Sequence, residues 1–510
     1  MHIPTINVSL LLCTGIISKR LVADPTDVFV GQVVTIDVLP DDVLLTIFDF
    51  FVVGHQDLEL IEVALFGYPD KIQSWQSLVH VCGRWRYLVF GSPRRLNLQL
   101  YCLPRIFSRK SLDIWPALPL LIQGDVSETS VDIVIAELEH SDRMCKIHLD
   151  FYTTWQIEKL WTTMQVPFPE LATLSLSFED LSYRPILPDS FLGGSAPRLR
   201  YLALKSIPFP GLLNLLLSAT DLVYLILSNV PDSDYFSPEA MATCLSVLTS
   251  LEELYLRFNS PQSSPDQESQ RPPPPARSVL PALTKFFFKG VNEYLEELVA
   301  RIDAPRLYQL TATFFNDIDF DTPELIRFVS RSSTSKAPNE ARVFFGSRTA
   351  SFKLQPNVDI QVQILCREPG WQLSSVAQIC TTSFPLLSTT ENLFIDDEVH
   401  SQPDWKDGIE NIEWLELLLP FTAVKNLYVS KQFVPHITPA LQELTGGRTT
   451  EVLPTLQNLF LEGFQPSEPV HEGIVQFISA RQLIDHPVAI SIWERRRREL
   501  KIGSVLGGRD

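Results

Sequence analysis

The 510-residue chain is short of positive charge: 42 Lys and Arg stand against 60 Asp and Glu, a net charge of −18. That deficit excludes a broad electrostatic grip on nucleic acid, which needs Lys and Arg gathered on one face. The one dense basic run, Arg495 to Arg498, reads as a solvated helix face or tail. Cysteine is scarce too. Its seven residues (13, 82, 102, 145, 244, 366 and 380) are odd in number, scattered and without a CxxC pair, as expected for reduced thiols in the cytoplasm or nucleus. No run of apolar residues is long enough for a membrane span. The apolar segment Val8 to Ile17 has nothing basic before it and no small-residue cleavage pattern before Lys19, so secretion is not expected.

Catalytic signatures are missing as well. There is no GxSxG, HExxH or GxxxxGK[ST], so hydrolase, zincin and P-loop chemistry lose their usual anchors. His80 and Cys82 lie two apart, a spacing that does not share one helix face and reads as a structural role. Asp317, Asp319 and Asp321 imitate the start of a calcium loop, but Thr322 replaces its Gly and Phe328 its closing Glu. No enzyme activity, cofactor or metal is expected.

What is present begins with "VLPDDVLLTIFDFFVV", Val38 to Val53. Asp41 is an acceptable N-cap and Asp42 suits the positive end of the helix dipole. Asp42, Thr46 and Asp49 form one narrow polar stripe, and apolar residues occupy the rest of the circumference. A helix of that kind is covered on two sides. A second helix is expected over Ser74 to Phe90, where Trp75, Leu78, Cys82, Trp85 and Val89 recur at helical spacing. The two together are too small for an independent core, so some apolar faces must meet the rest of the chain or another protein.

Leu39-Pro40-Asp41-Asp42-Val43-Leu44, then Ile47-Phe48, then Val81-Cys82-Gly83-Arg84-Trp85 resemble the two halves of the F-box. The insertion at 54–73 is longer than the usual link, and Phe51 stands where Leu is commoner. The resemblance implies docking onto the Skp adaptor of a cullin-RING ubiquitin ligase. Its adaptor-binding signature falls on Leu39, Pro40, Leu44, Ile47, Phe48, Val81, Cys82 and Trp85, some of which can face the internal core.

Downstream, a degenerate P-x-L-x-x-L-x-L pattern recurs at 168–176, 196–204, 219–227, 248–256, 280–288, 304–312, 421–429 and 453–461, with weaker copies at 142–149 and 388–395. A drifting period of 23 to 34 residues between consecutive alignable copies points to an irregular solenoid. Each unit should end in a short strand. Helix starts are expected at Ser237-Pro238, Thr322-Pro323 and Thr438-Pro439, with Gly446 as a stop. This part resembles the leucine-rich-repeat class of F-box proteins, most closely the large families of mushroom-forming fungi. Of the clear copies only that at Leu251 puts Asn, Asn259, at the ninth position, so a continuous asparagine ladder is not expected.

The fold class expected is therefore α/β: an N-terminal helical F-box followed by an irregular leucine-rich-repeat-like solenoid of strand-helix repeats. The divisions are 1–36 unassigned; 37–92 F-box; 93–495 solenoid, interrupted by a Pro-rich loop at 260–278; and 496–510 basic tail. Ser330 to Glu340 is a shorter interruption, and the repeat register fails over Ala341 to Arg367. The expected role is a substrate receptor that holds an unknown protein target on outward strand positions, with no nucleic-acid or membrane partner. A repeat scaffold acting outside ubiquitin transfer is the alternative.

Overall fold

The computed structural model describes residues 38–52, 74–102, 117–152, 157–179, 186–231, 235–259, 277–315, 322–332, 339–355, 359–366, 370–383, 385–398, 411–444, 450–463 and 470–493. The expectations for the N-terminus, the 54–73 insertion, most of the Pro-rich loop, the aspartates at 317, 319 and 321, and the basic tail lie outside them. The chain divides into two compact units, Met1–Leu98 and Gln99–Asp510.

The first unit is helical where described. A helix runs over residues 41–52, and the Leu44 amide donates to Pro40 O, so the first turn closes one residue before Asp41. The single helix expected over Ser74 to Phe90 is instead two, Ser74–Val79 and Gly83–Gly91. Cys82 is extended between them (φ −155°, ψ 170°), next to Gly83, a weak helix former. Arg86 Nε caps the interrupted end by donating to Val79 O at 3.0 Å.

The second unit is a mixed α/β body built on one long, mostly parallel sheet. Its strands in chain order are β1 (Leu100–Cys102), β2 (Leu120–Val126), β3 (Met144–Phe151), β4 (Thr173–Phe178), β5 (Tyr201–Lys205), β6 (Tyr224–Val230) and β7 (Glu253–Phe258). Then follow β8 (Ser278–Val279), β9 (Lys285–Gly290), β10 (Ile302–Asp303), β11 (Gln309–Phe315), β12 (Glu340–Phe345), β13 (Thr349–Gln355) and β14 (Asp359–Leu365). The last are β15 (Asn392–Asp397), β16 (Asn426–Val429), β17 (Asn458–Glu462) and β18 (Ala489–Trp493). The sheet order is β1-β2-β3-β4-β5-β6-β7-β9-β11-β14-β13-β12-β15-β16-β17-β18, and β8 pairs with β10 in a small separate sheet.

Parallel neighbours need crossover connections, and helices such as 212–218, 238–245, 292–301 and 434–443 supply them, consecutive helices packing together. All ten repeat copies, weak ones included, end in a strand. The eight clear copies share one device. In each, the fourth residue's amide donates to the first residue's carbonyl: Leu171 to Phe168, Leu199 to Ala196, Leu222 to Ala219, Leu251 to Leu248, Leu283 to Leu280, Leu307 to Ala304, Val424 to Phe421 and Leu456 to Leu453. The recurrent Pro therefore sits at the second position of a four-residue turn, where its fixed φ is an advantage. The leucines that follow alternate inward, so that Leu202, Leu225, Leu254, Phe286, Leu310, Leu427 and Leu459 are all sealed in the core.

Over 341–367 the register fails for a topological reason. After β11 the chain skips two strand positions to lay down β12, then returns antiparallel through β13 to β14, which pairs with β11. β12 and β14 remain parallel to β15 and β11, so the insertion preserves strand polarity on both flanks.

Two helix starts differ from expectation. The Thr438-Pro439 pair lies inside helix Val434–Glu443, because Pro435 four residues earlier offers the same start signal; the Thr438 hydroxyl donates to Val434 O. Thr322 precedes helix Pro323–Ser330, but its side chain caps nothing. The Glu296 carboxylate of the preceding helix does so, accepting from the Glu324 and Leu325 amides at 2.8 and 2.9 Å. Ser237 caps as expected, accepting from Ala240 N. Ser278, the expected end of the Pro-rich loop, opens β8.

Candidate functional site

In the first unit, helix 41–52 turns Leu44, Leu45, Phe48 and Val52 inward, and all are buried. Trp75, Leu78 and Val79 of the second helix and Trp85, Leu88 and Val89 of the third are buried as well. The Phe48 and Trp85 rings meet at 4.7 Å. Arg84 ties the two F-box-like halves together, donating to Asp41 Oδ1 at 2.5 Å and to Leu39 O at 2.7 Å. Arg95 reaches Thr46 Oγ1 at 3.1 Å.

The opposite side of the same helix carries Val43, Ile47 and Phe50 at spacings of four and three, a single stripe. They are 38%, 43% and 84% exposed. The loop between the second and third helices adds Val81, 58% exposed, and the third helix adds Tyr87, 79% exposed. The eight signature residues thus divide. Leu44, Phe48 and Trp85 are core; Pro40, Ile47 and Val81 are exposed; Leu39 and Cys82 are intermediate. Val43, Phe50 and Tyr87 are not among the eight signature residues, although the first two share the helical spacing of Ile47.

In the second unit the sheet presents its half-exposed alternate positions as aligned rows. One row runs through Tyr255 and Phe287, stacked at 4.3 Å, and later through Arg342, Phe394, Tyr428 and Phe460. Phe394 stacks on Tyr428 at 4.2 Å and Tyr428 on Phe460 at 4.4 Å, while the Arg342 guanidinium covers Phe394 at 4.3 Å. Beside it runs an asparagine ladder: Asn458 Nδ2 donates to Asn426 Oδ1 and Asn426 Nδ2 to Asn392 Oδ1, both at 2.8 Å. It lies immediately before the strand leucines rather than at the ninth repeat position. Asn-Leu recurring at 392, 426 and 458 is the sequence signal for it.

Among the described residues no group of three or more His, Cys, Asp or Glu is placed to hold a metal, and no helix is long and apolar enough to cross a membrane. Burial pushes the thiols of Cys145, Cys244 and Cys366 up to about 11, and those of Cys102 and Cys380 well above the usual cysteine value, which disfavours nucleophilic thiolates.

No family model and no curated protein matches the chain. Among solved structures it is similar to the leucine-rich-repeat-containing protein LegL7 of Legionella pneumophila, at 12% identity and a TM-score of 0.26, over 74% of this chain and 97% of that one.

Proposed function

We propose that this chain is the substrate receptor of a Skp-cullin-F-box type ubiquitin ligase. Residues 37–92 dock the Skp adaptor, and a leucine-rich-repeat-like solenoid over 93–495 holds a protein target in the cytoplasm or nucleus. The observation that carries the reading is the two-sidedness of helix 41–52. One face is sealed by Phe48 against Trp85, and the other leaves Val43, Ile47 and Phe50 in water. Covering the largely exposed Phe50 is worth about 1.5–3 kcal/mol, and the half-exposed Val43 and Ile47 less, which an adaptor with a complementary apolar groove would recover. The shared turn of the eight repeat copies and the inward leucines support the solenoid half of the reading. The chain supplies recognition; the adaptor, cullin and charged conjugating enzyme supply the transfer.

The test is capture on immobilised recombinant Skp adaptor. Wild type should bind stoichiometrically, and the double variant Ile47→Glu, Phe50→Glu should not, while melting at the same temperature. Equal capture of both, or of neither, removes the docking role and leaves a repeat scaffold acting outside ubiquitin transfer.

A further inference from the structure

On the open face of strands β3 to β6, long side chains on β3 and at Tyr201 and Tyr224 flank short ones at Thr173, Ser175 and Ala203. The register aligns Lys146, Thr173, Tyr201 and Tyr224 in one row and His148, Ser175, Ala203 and Ile226 in the next. Thr173, Ser175 and Ala203 reach little above the sheet, so a recess opens between Lys146 and His148 on one side and the paired Tyr201 and Tyr224 rings on the other. Its volume is about 500 Å³, and Arg200 lines it from the turn before β5. Two strand spacings separate Lys146 on β3 from Tyr201 on β5, about 10 Å, the width of one extended peptide segment rather than of one small ion.

The charge in this recess is unusual for so acidic a chain. Neighbouring cations on the same sheet are already neutralised: Lys205 by Glu179 and Lys285 by Glu253, both at 2.7 Å. His148 has Asp150 at 3.5 Å. Lys146 and Arg200 have no ion pair and no side-chain hydrogen bond among the described residues. Burial holds the Lys146 ammonium below its ordinary value, so its charge is poorly compensated as it stands.

We propose that this recess seats an acidic peptide segment of the protein target, a carboxylate lying between Lys146 and Arg200 and the adjoining chain resting on Tyr201 and Tyr224. The proposal rests on the reading of the sheet's open face as the surface that holds the target. Arg200 offers a planar fork and Lys146 a point charge, a pair suited to an anionic side chain. The two tyrosines supply apolar contact with polar tips.

The probe is fluorescein-labelled hexaglutamate titrated into the full chain, with hexaglutamine and hexathymidylate as competitors. Saturable binding is expected, weakened at least tenfold by Arg200→Glu and by Lys146→Met. It should be unchanged by Arg198→Gln, whose guanidinium already pairs with Glu170. Arg200 is exposed, so its variant should keep the wild-type melting temperature even if Lys146→Met does not. A short phosphoserine peptide that competes more strongly, and loses its hold in the Arg200 variant, would support the same site. Absence of saturable binding, equal binding by Arg200→Glu, or stronger competition by hexaglutamine or hexathymidylate would overturn it. Adaptor capture is measured on the same samples: failure of the peptide arm alone rejects the recess, and failure of capture alone rejects the docking role.

Discussion

The Phe48 ring lies 4.7 Å from that of Trp85, tilted by 56°, and joins residues 37 positions apart across the two F-box-like halves. Trp85 Nε1 is buried with no acceptor among the described residues, so the indole acts there as apolar volume. Trp85→Ala should destabilise the first unit by about 3–5 kcal/mol, and Trp85→Phe by distinctly less. Urea unfolding of the two variants, followed by far-UV circular dichroism, measures the difference. A charge at Phe48 should unfold the unit, whereas one at Ile47 should not.

Glu137 is buried on helix Val131–Leu138, with both carboxylate oxygens lacking a partner among the described residues, and burial raises its pKa from 4.5 to about 8. The folded state prefers the neutral acid. Stability is therefore greatest below the unfolded value of 4.5, falls as pH rises, and levels off once the folded group has ionised above about 8. The loss is of order 5 kcal/mol. Glu137→Leu should remove this slope and be more stable than wild type at pH 8.5, as read by urea midpoints at pH 5.5, 7 and 8.5.

Asn426 both donates to Asn392 and accepts from Asn458. Asn426→Ala breaks two links and leaves Asn392 Oδ1 and Asn458 Nδ2 without the bonds they made to it, at a cost of about 1–3 kcal/mol. Asn458→Ala breaks one and should cost less. Thermal unfolding of the two variants ranks them.

The shared turn offers a stabilising change. Thr220 holds the position that Pro197 and Pro305 hold in other copies, and Ala219 before it is already outside the right-handed helical region at φ −90°, ψ 55°. Thr220→Pro should raise stability by about 0.4–1 kcal/mol, chiefly by restricting the unfolded chain, and calorimetry would show it as a higher melting temperature.

Where leucines recur at alternate positions behind a turn, the strands were legible from sequence, and every copy from 142–149 to 453–461 ends in one. The hairpin of β12, β13 and β14 was not, because Ala341, Val343, Phe345, Ile360, Val362 and Ile364 alternate without the turn that marks the repeat. Thr438-Pro439 misled because Pro435 satisfies the helix start first. On helix 41–52 the residues could be named but not divided: a helix apolar around most of its circumference does not announce which side its own core will take. The Arg84 to Asp41 bridge and the Phe48 contact with Trp85 decide it. The recess at Lys146 and Arg200 was invisible, since it depends on which short side chains from separate strands become neighbours.

The out-and-back path through β12 also bears on how the chain assembles as it leaves the ribosome. Elsewhere in the main sheet each new strand can settle at once on an edge already open, its predecessor's in every case but β15, which takes that of β12. β12 emerges with no such edge beside it, and β11 waits for residues 359–365 before its free side is closed. Growth should therefore stall near residue 345 and resume as a block once β14 arrives. Ribosome-bound chains with β12 but not β14 outside the exit tunnel should remain sensitive to protease back to β11, and those extended until β14 has cleared the tunnel should become resistant in one step.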